Sequence, residues 1–392
     1  MSYKFPLAFD SWDNDEKDAI SEVVKTGKFT MGTKVKEFES SFSEYISSKY
    51  SLMVNSGSSA NLLMIASLFY TSDKNKKLKR GDEVIVPAIS WSTTYYPLYQ
   101  YGLKLKFVDI DIETLNFDLR KLKDAVSEKT KVICAVNLLG NPNDFDVIKA
   151  IIKNYNIILL EDNCESLGAE FKNKKTGTIG LLGTFSFFFS HHISTMEGGM
   201  VVTDDEELYH ILLCLRSHGW TRNLPDTNLI INKRLDNAFE ESFNFILPGY
   251  NLRPLEMSGA VGSKQLKKFP IFLKQRKKNA EIFLEVMKDN FNIMTQKETG
   301  SSSWFGFSIV IRPNSGLNRS DLVTRLEKIG FECRPIVAGN FANKKVVDYF
   351  DKEVHGNLEN ANWVNNNGLF IGNHHINMTE PFKELKKLLL ND

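Results

Sequence analysis

The chain has 392 residues, of which 42% are hydrophobic and 25% charged, with a formal net charge of +1. These are the proportions of an ordinary globular protein, and the length exceeds what one simple core holds. Lysines and arginines are scattered, so no basic patch points to nucleic acid or to an anionic membrane surface. The four cysteines, Cys134, Cys164, Cys214 and Cys333, include no Cys-x-x-Cys pair. Their spacing fits neither a disulfide framework nor a zinc site, and it offers no ligand set for an iron–sulfur cluster. The opening residues MSYKFPLAFD lack the basic start and apolar stretch of a signal peptide. No apolar run approaches the ~20 residues of a membrane helix, and a cytoplasmic setting is expected.

In chain order, NDEKDAISEVVKTG and TKVKEFESSFSEYIS read as two helices, with Gly27 ending the first. From about residue 50, short β-rich runs alternate with amphipathic stretches: YSLMV before SGSSANLLMIASLFY, DEVIVP before SWSTTYYPLYQYG, KLKFVDID before DLRKLKDAVS, KVICAVN before DVIKAIIKNY, and then NIILLED. Strands that are apolar on both faces predict an α/β fold, with a mostly parallel sheet between helices. After about residue 262 the rhythm changes to a long helix interrupted near Pro270, a strand SSWFGFSIVIR, and helices near 319–328 and 380–390. This predicts a large unit over residues 1–265 and a smaller α+β unit over residues 266–392.

Three stretches can carry chemistry. In NSGSSAN a strand ends and a Gly/Ser turn opens a helix, so free N–H groups at Gly57 and Ser58 make either an anion site or an ordinary cap. In IILLEDNCESLGA, Asp162 falls at the carboxyl edge of the sheet, where ligands of parallel α/β sheets collect. A carboxylate there can pair with a cation, hold a metal or cap the next helix. The third stretch, TFSFFFSHHISTMEGGMVVTDD, places His191 and His192 at a bend. Neighbouring residues on a strand face opposite ways, which makes a poor chelating pair, and no metal is expected.

Taken in order, GKFTMGTKVKEFESSFSEYI, NSGSSAN, VIVPAISWSTT, FVDIDIETLNFD, EDNCESLGA, FSFFFSHHISTMEGGMVVTDD and LPGYNLRPLEMSGAVG resemble the DegT/DnrJ/EryC1/StrS family of sugar-nucleotide aminotransferases. The resemblance spans nearly the whole chain and implies the aspartate-aminotransferase (type I) fold of enzymes using pyridoxal 5′-phosphate (PLP) and pyridoxamine 5′-phosphate (PMP). It implies that Gly57, Ser58 and Ser186 hold the cofactor phosphate, and that Asp162 pairs with the pyridinium nitrogen. Trp91 would stack on the pyridine ring, and Glu165 would stand beside the ring hydroxyl, where the family usually has Gln. Asn251 would reach the phosphate of the neighbouring subunit, which implies a homodimer with shared active sites. Thr30, Met31 and Gly32 would line the sugar-nucleotide pocket, with His218 and Arg222 of RSHGWTRN nearby. Arg253 and Arg334 are suited to grip a carboxylate or diphosphate, although a surface role for Arg334 stays open.

The family motif carries a lysine six residues before a glutamate; here the glutamate is Glu197 and the residue six back is His191, while Met196 replaces a glycine. The family's lysine tethers the cofactor covalently and shuttles a proton. An imidazole cannot make the tether but, with an ordinary pKa of ~6.5, can still take the proton. The resemblance therefore runs to the branch that removes the 3-hydroxyl of GDP-4-keto-6-deoxy-D-mannose in colitose and lipopolysaccharide O-antigen biosynthesis. A second His-bearing branch uses an iron–sulfur cluster, which these cysteines do not supply. Without it, PMP would be regenerated from L-glutamate. Two other readings stay open: a 4-aminotransferase whose lysine has been replaced, and a non-catalytic binder of sugar nucleotides.

Overall fold

The structure, a computed structural model, describes residues 3–389. Helix α1 (Asn14–Thr26) opens on a capping box between Asp13 and Glu16 and ends at Gly27, whose φ is 67°. Helix α2 (Thr33–Ile46) starts on Gly32, which has no side chain to cap it. The buried Glu256 carboxylate does so from far along the chain, accepting from the N–H groups of Gly32 and Lys34, both at 2.6 Å.

The α/β rhythm then appears as predicted: β1 (Tyr50–Val54), α3 (Gly57–Tyr70), β2 (Glu83–Pro87), α4 (Ser92–Gln100), β3 (Lys104–Val108), α5 (Leu119–Ala125), β4 (Thr130–Val136), α6 (Phe145–Ile152) and β5 (Ile158–Asp162). A small hairpin, β6 (Glu170–Phe171) with β7 (Lys174–Lys175), precedes β8 (Leu182–Ser186), β9 (Gly199–Thr203) and α7 (Glu206–Arg216). An arm follows with the hairpin β10 (Thr227–Asn228) and β11 (Asn232–Lys233) and the short helix α8 (Ala238–Glu241). Helix α9 (Glu256–Met287) leads to β12 (Ile293–Met294), β13 (Gly306–Ile311), α10 (Arg319–Lys328), β14 (Cys333–Arg334), β15 (Lys352–Val354), α11 (Glu359–Asn367), β16 (Gly368–Gly372) and α12 (Thr379–Leu389).

Eight strands form the main sheet in the order β1-β9-β8-β5-β4-β2-β3-β15. Only β9 runs antiparallel to its neighbours β1 and β8. Val54 and Ser186 therefore both lie opposite Gly199, which brings the carboxyl ends of β1 and β8 level. One core on this sheet is built from Leu63, Leu68, Val86, Tyr95, Phe107 and Leu212, and a second from Ile85, Ile133, Phe145 and Ile148. A four-stranded antiparallel sheet, β12-β13-β16-β14, packs its own core around Phe283, Phe307 and Phe382.

The long helix differs from expectation. It runs unbroken through Pro270, because the buried Phe269 and Phe272 flank the proline and hold both halves in line. That packing outweighs the ~3 kcal/mol cost of an interior proline. Residue 265 lies within this helix, so our proposed division into residues 1–265 and 266–392 makes α9 common to both units. The α2–α9 crossing is close: a Cβ on Gly259 would lie 2.6 Å from the Val35 backbone. Gly259→Ala should therefore destabilise the protein by ~1–3 kcal/mol in urea unfolding. A helix interior without that contact would instead gain ~1 kcal/mol from the same change.

Candidate active site

The carboxyl ends of β1, β2, β5 and β8 meet around Asp162. Its buried carboxylate accepts from Asn61 Nδ2 at 2.8 Å, from Thr94 Oγ1 at 2.7 Å and from the Cys164 N–H at 3.2 Å. Thr184 Oγ1 donates to Asn61 Oδ1 at 2.6 Å, which turns the amide nitrogen toward the aspartate. With the Thr94 hydroxyl proton on Asp162, the Ser90 hydroxyl, 2.7 Å away, is the donor to Thr94. Asp162 is thus not spent on capping a helix. It is a desolvated carboxylate with three neutral donors, suited to a cationic ligand group.

Beside it, α3 begins at Gly57. The Ser56 side chain accepts from the Ser59 N–H at 3.1 Å, which leaves the first-turn N–H groups of Gly57 and Ser58 to other acceptors. A Cβ on Gly57 would sit 2.5 Å from Ser186 Cβ, so glycine is what lets the helix start meet the end of β8. Trp91, immediately before α4, leaves its side chain 57% exposed at the same edge. Glu165 is half-buried, and its Oε2 accepts from the Leu139 N–H at 3.0 Å. Burial, then the nearby Asp162 charge, pushes its pKa up to about 7.

His191 and His192 lie at the bend between two strands, as expected. β8 ends at Ser186, and both occupy the turn before β9. The facing argument against chelation therefore fails here, although no group of three or more metal-ligating side chains is present among the described residues. The turn is pinned by Trp12 Nε1 on Ser194 O at 3.2 Å and by the Ser194 N–H on Gln265 Oε1 at 3.1 Å. His192 is buried and donates from Nε2 to Ser303 O at 3.1 Å, a packing role. His191 has a buried Nδ1 with no partner, and its ring meets Phe305 edge-on, with 5.1 Å between centroids. Burial, then the Arg276 guanidinium, pushes its pKa down to about 4, so the imidazole is neutral at pH 7 and free to accept a proton. Met196 has φ 69°, a backbone that favours glycine and so accounts for the family's glycine at this position.

Of the expected substrate residues, His218, Arg222 and Arg253 gather around Trp220. The ring centroids of His218 and Trp220 are 5.0 Å apart, and the guanidinium carbons of Arg222 and Arg253 lie 4.2 and 5.5 Å from the Trp220 ring. Asn251 is exposed and accepts from Arg253 Nε at 3.0 Å. Met31 and Gly32 share a cleft of about 740 Å³ with Arg222, Lys36 and Asn223. Thr30 is exposed next to it and bridges to Leu255. Arg334 stands apart on β14, exposed and paired with Glu332 at 2.8 Å. Sequence reasoning missed Asn61, Thr94, Trp220, Phe305 and Arg276. The first three lie in stretches already singled out, as polar or aromatic residues that the motif reading passed over.

These features fit a phosphorylated pyridine cofactor. The Gly57–Ser186 approach suits a phosphate, Asp162 suits a protonated ring nitrogen, and the orphaned His191 Nδ1 awaits a partner. Glu165 supplies a stability test. Its folded pKa of about 7 exceeds the ordinary 4.5, so its stabilising contribution is complete below pH 4.5 and lost as pH rises through 7. Glu165→Gln should flatten the dependence of melting temperature on pH in cofactor-free protein. The variant should gain up to ~3 kcal/mol above pH 7 and nothing below 4.5.

Residues 10–385 match the model of the DegT/DnrJ/EryC1/StrS aminotransferase family. The chain is 58% identical over 386 residues to GDP-4-keto-6-deoxy-D-mannose 3-dehydratase of Yersinia pseudotuberculosis, covering 98% of each sequence. It is similar to a crystal structure of GDP-4-keto-6-deoxymannose-3-dehydratase, a His-to-Asn mutant with bound GDP-perosamine, at 58% identity and a TM-score of 0.97, covering 98% of this chain and 100% of that one. The same enzyme with a trapped PLP-glutamate geminal diamine matches equally well, with TM-score 0.97, 58% identity and the same coverage. With its site, fold and sequence in agreement over nearly its whole length, the chain belongs to the DegT/DnrJ/EryC1/StrS aminotransferase family.

Proposed function

We propose that this chain is a PLP/PMP-dependent sugar-nucleotide 3-dehydratase that converts GDP-4-keto-6-deoxy-D-mannose to the 4-keto-3,6-dideoxy sugar, with L-glutamate as amino donor. The observation that carries this reading is His191, a neutral, half-buried imidazole in the place of the family's lysine. The 58% identity to enzymes named for that reaction supports the substrate.

The cofactor, when bound, supplies an electron sink for the sugar carbons next to the ketone. Gly57, Ser58 and Ser186 would hold its phosphate through N–H and hydroxyl donors at the start of α3. Asp162 would keep the ring nitrogen protonated by charge pairing in a desolvated site. Trp91 would cover the ring face, and Glu165 would stand by the ring hydroxyl. His191 takes the proton whose loss starts the elimination. As the imidazolium it then donates to the departing 3-hydroxyl, since an acid so formed suits the reverse transfer. An imidazole has no primary amine with which to displace an amino sugar from the cofactor, so the residue in this place does not favour amino transfer. The buried Asp162 without a cationic partner weighs against a pure binder of sugar nucleotides, which has no use for such a group.

A homodimer fits the surface. Phe239, Phe243 and Phe245 are 87, 68 and 54% exposed on the arm that carries Trp220, with Leu229 and Leu235 beside them. Asn251 lies exposed on the adjoining loop, where a neighbouring subunit's phosphate can reach it. A cytoplasmic setting agrees with four thiols free of disulfides.

Purified protein with PMP and glutamate should remove the 3-oxygen of GDP-4-keto-6-deoxymannose without adding nitrogen, as read by mass spectrometry; an amino-sugar product would overturn the reading. His191→Asn should lower turnover by ~10²–10⁴-fold while the near-ultraviolet absorbance of bound PMP persists. Light scattering should give a dimer for the wild type and a monomer for Phe243→Glu.

A further inference from the structure

The residues Ser303, Trp304 and Phe305 form a strap that reaches the site from the C-terminal core. Trp304 O and Phe305 O accept from Arg276 Nη1 at 3.4 and 3.2 Å. The Ser303 and Phe305 N–H groups donate to Gly140 O and Leu139 O at 2.9 and 3.0 Å. Leu139 in turn donates its N–H to Glu165 at 3.0 Å. On its other side the strap accepts from His192 through Ser303 O and lays the Phe305 ring against His191. Trp304 and Leu139 both hold positive φ, 49° and 53°. Such conformations cost ~1–3 kcal/mol each and persist only where surrounding contacts over-determine them.

Arg276 is the anchor of this path. It is 5% exposed, its guanidinium bonds only to main-chain carbonyls, and no carboxylate pairs with it among the described residues. A buried, unpaired guanidinium is costly and is not retained for stability alone. We propose that Arg276 is a positioning residue: through the Ser303–Phe305 strap it fixes the His191 imidazole and, by way of Leu139, the Glu165 carboxyl in one shared frame. The inference rests on His191 acting as the base.

Charge works in the same direction. The titratable groups facing Arg276 are His191 and His192 from the turn after β8 and His374 and His375 after β16; all four are shifted down, by burial first and Arg276 second. Asp10 opposes this at His375 alone. Arg276 itself, pushed down to about 10 by burial, stays charged at neutral pH.

The test compares Arg276→Met, Arg276→Lys and Phe305→Leu in the full chain. The His191 ring would be titrated by NMR in labelled, cofactor-free protein, with His191→Asn assigning the signal. Wild-type His191 should titrate near 4, and Arg276→Met should move it part of the way up, with burial still holding it below the ordinary value. The acid limb of kcat should rise with it, and kcat should fall ~10²-fold with little change in KM. Arg276→Lys should restore the low titration and part of kcat. Unchanged titration and kcat in folded Arg276→Met would overturn the proposal while leaving the base reading intact. A fully active His191→Asn would overturn both. If Arg276→Met does not fold, Phe305→Leu decides: a roughly tenfold loss of kcat supports the strap, and wild-type kcat refutes it.

Discussion

The buried Asp162 carboxylate draws four elements to one point: Asn61 from α3, Thr94 from α4, Thr184 from β8 behind Asn61, and its own strand β5. A charge held away from water is tolerable only when its lone pairs are met, and here neutral donors meet them. The donors have to arrive at one height, which sets the starts of α3 and α4 relative to the sheet edge. Because Thr94 gives its proton to Asp162, it must accept from Ser90, so the polarity of that chain is also determined. The carboxylate is thus fixed in place by the protein's own groups.

Much of this was legible in the residues. The strand-turn-helix at Gly57, the acidic end of β5 and the register counted back from Glu197 are local, and local patterns survive in sequence. Asn61 and Thr94 lie inside recognisable motifs, but nothing local separates a polar residue that orients a carboxylate from one that caps a turn. Arg276 and Phe305 carried no such mark, because they meet His191 only through tertiary packing across more than 80 residues. The early end of the aromatic strand before the histidines has a different cause. The run FSFFF has the composition of a strand, yet β8 ends at Ser186, and Phe188 and Phe189 are 41 and 53% exposed. Aromatic residues destined for an exposed face look the same in sequence as those of a core.

Backbone strain is concentrated around His191. Leu139, Met196 and Trp304 all adopt the left-handed region without being glycine, and they flank the same turn and strap. Each raises the energy of the free chain's local minimum, and the tertiary contacts that hold them also hold the two titrating groups. His191 and Glu165 are pushed in opposite directions, one to about 4 and the other to about 7, by the same loss of water. One stays neutral at physiological pH, and the other sits near the middle of its titration.

Helix α9 spans 32 residues; its Leu266, Phe269 and Phe272 pack with Phe38 and Phe42 of α2, and its Ala280, Phe283 and Met287 join the core of the small sheet. At 1.5 Å per residue it is a rod of roughly 48 Å, capping α2 with Glu256 at one end and burying Phe283 and Met287 at the other. Rotating the C-terminal core as a rigid body would require breaking the rod's own main-chain hydrogen bonds near Pro270.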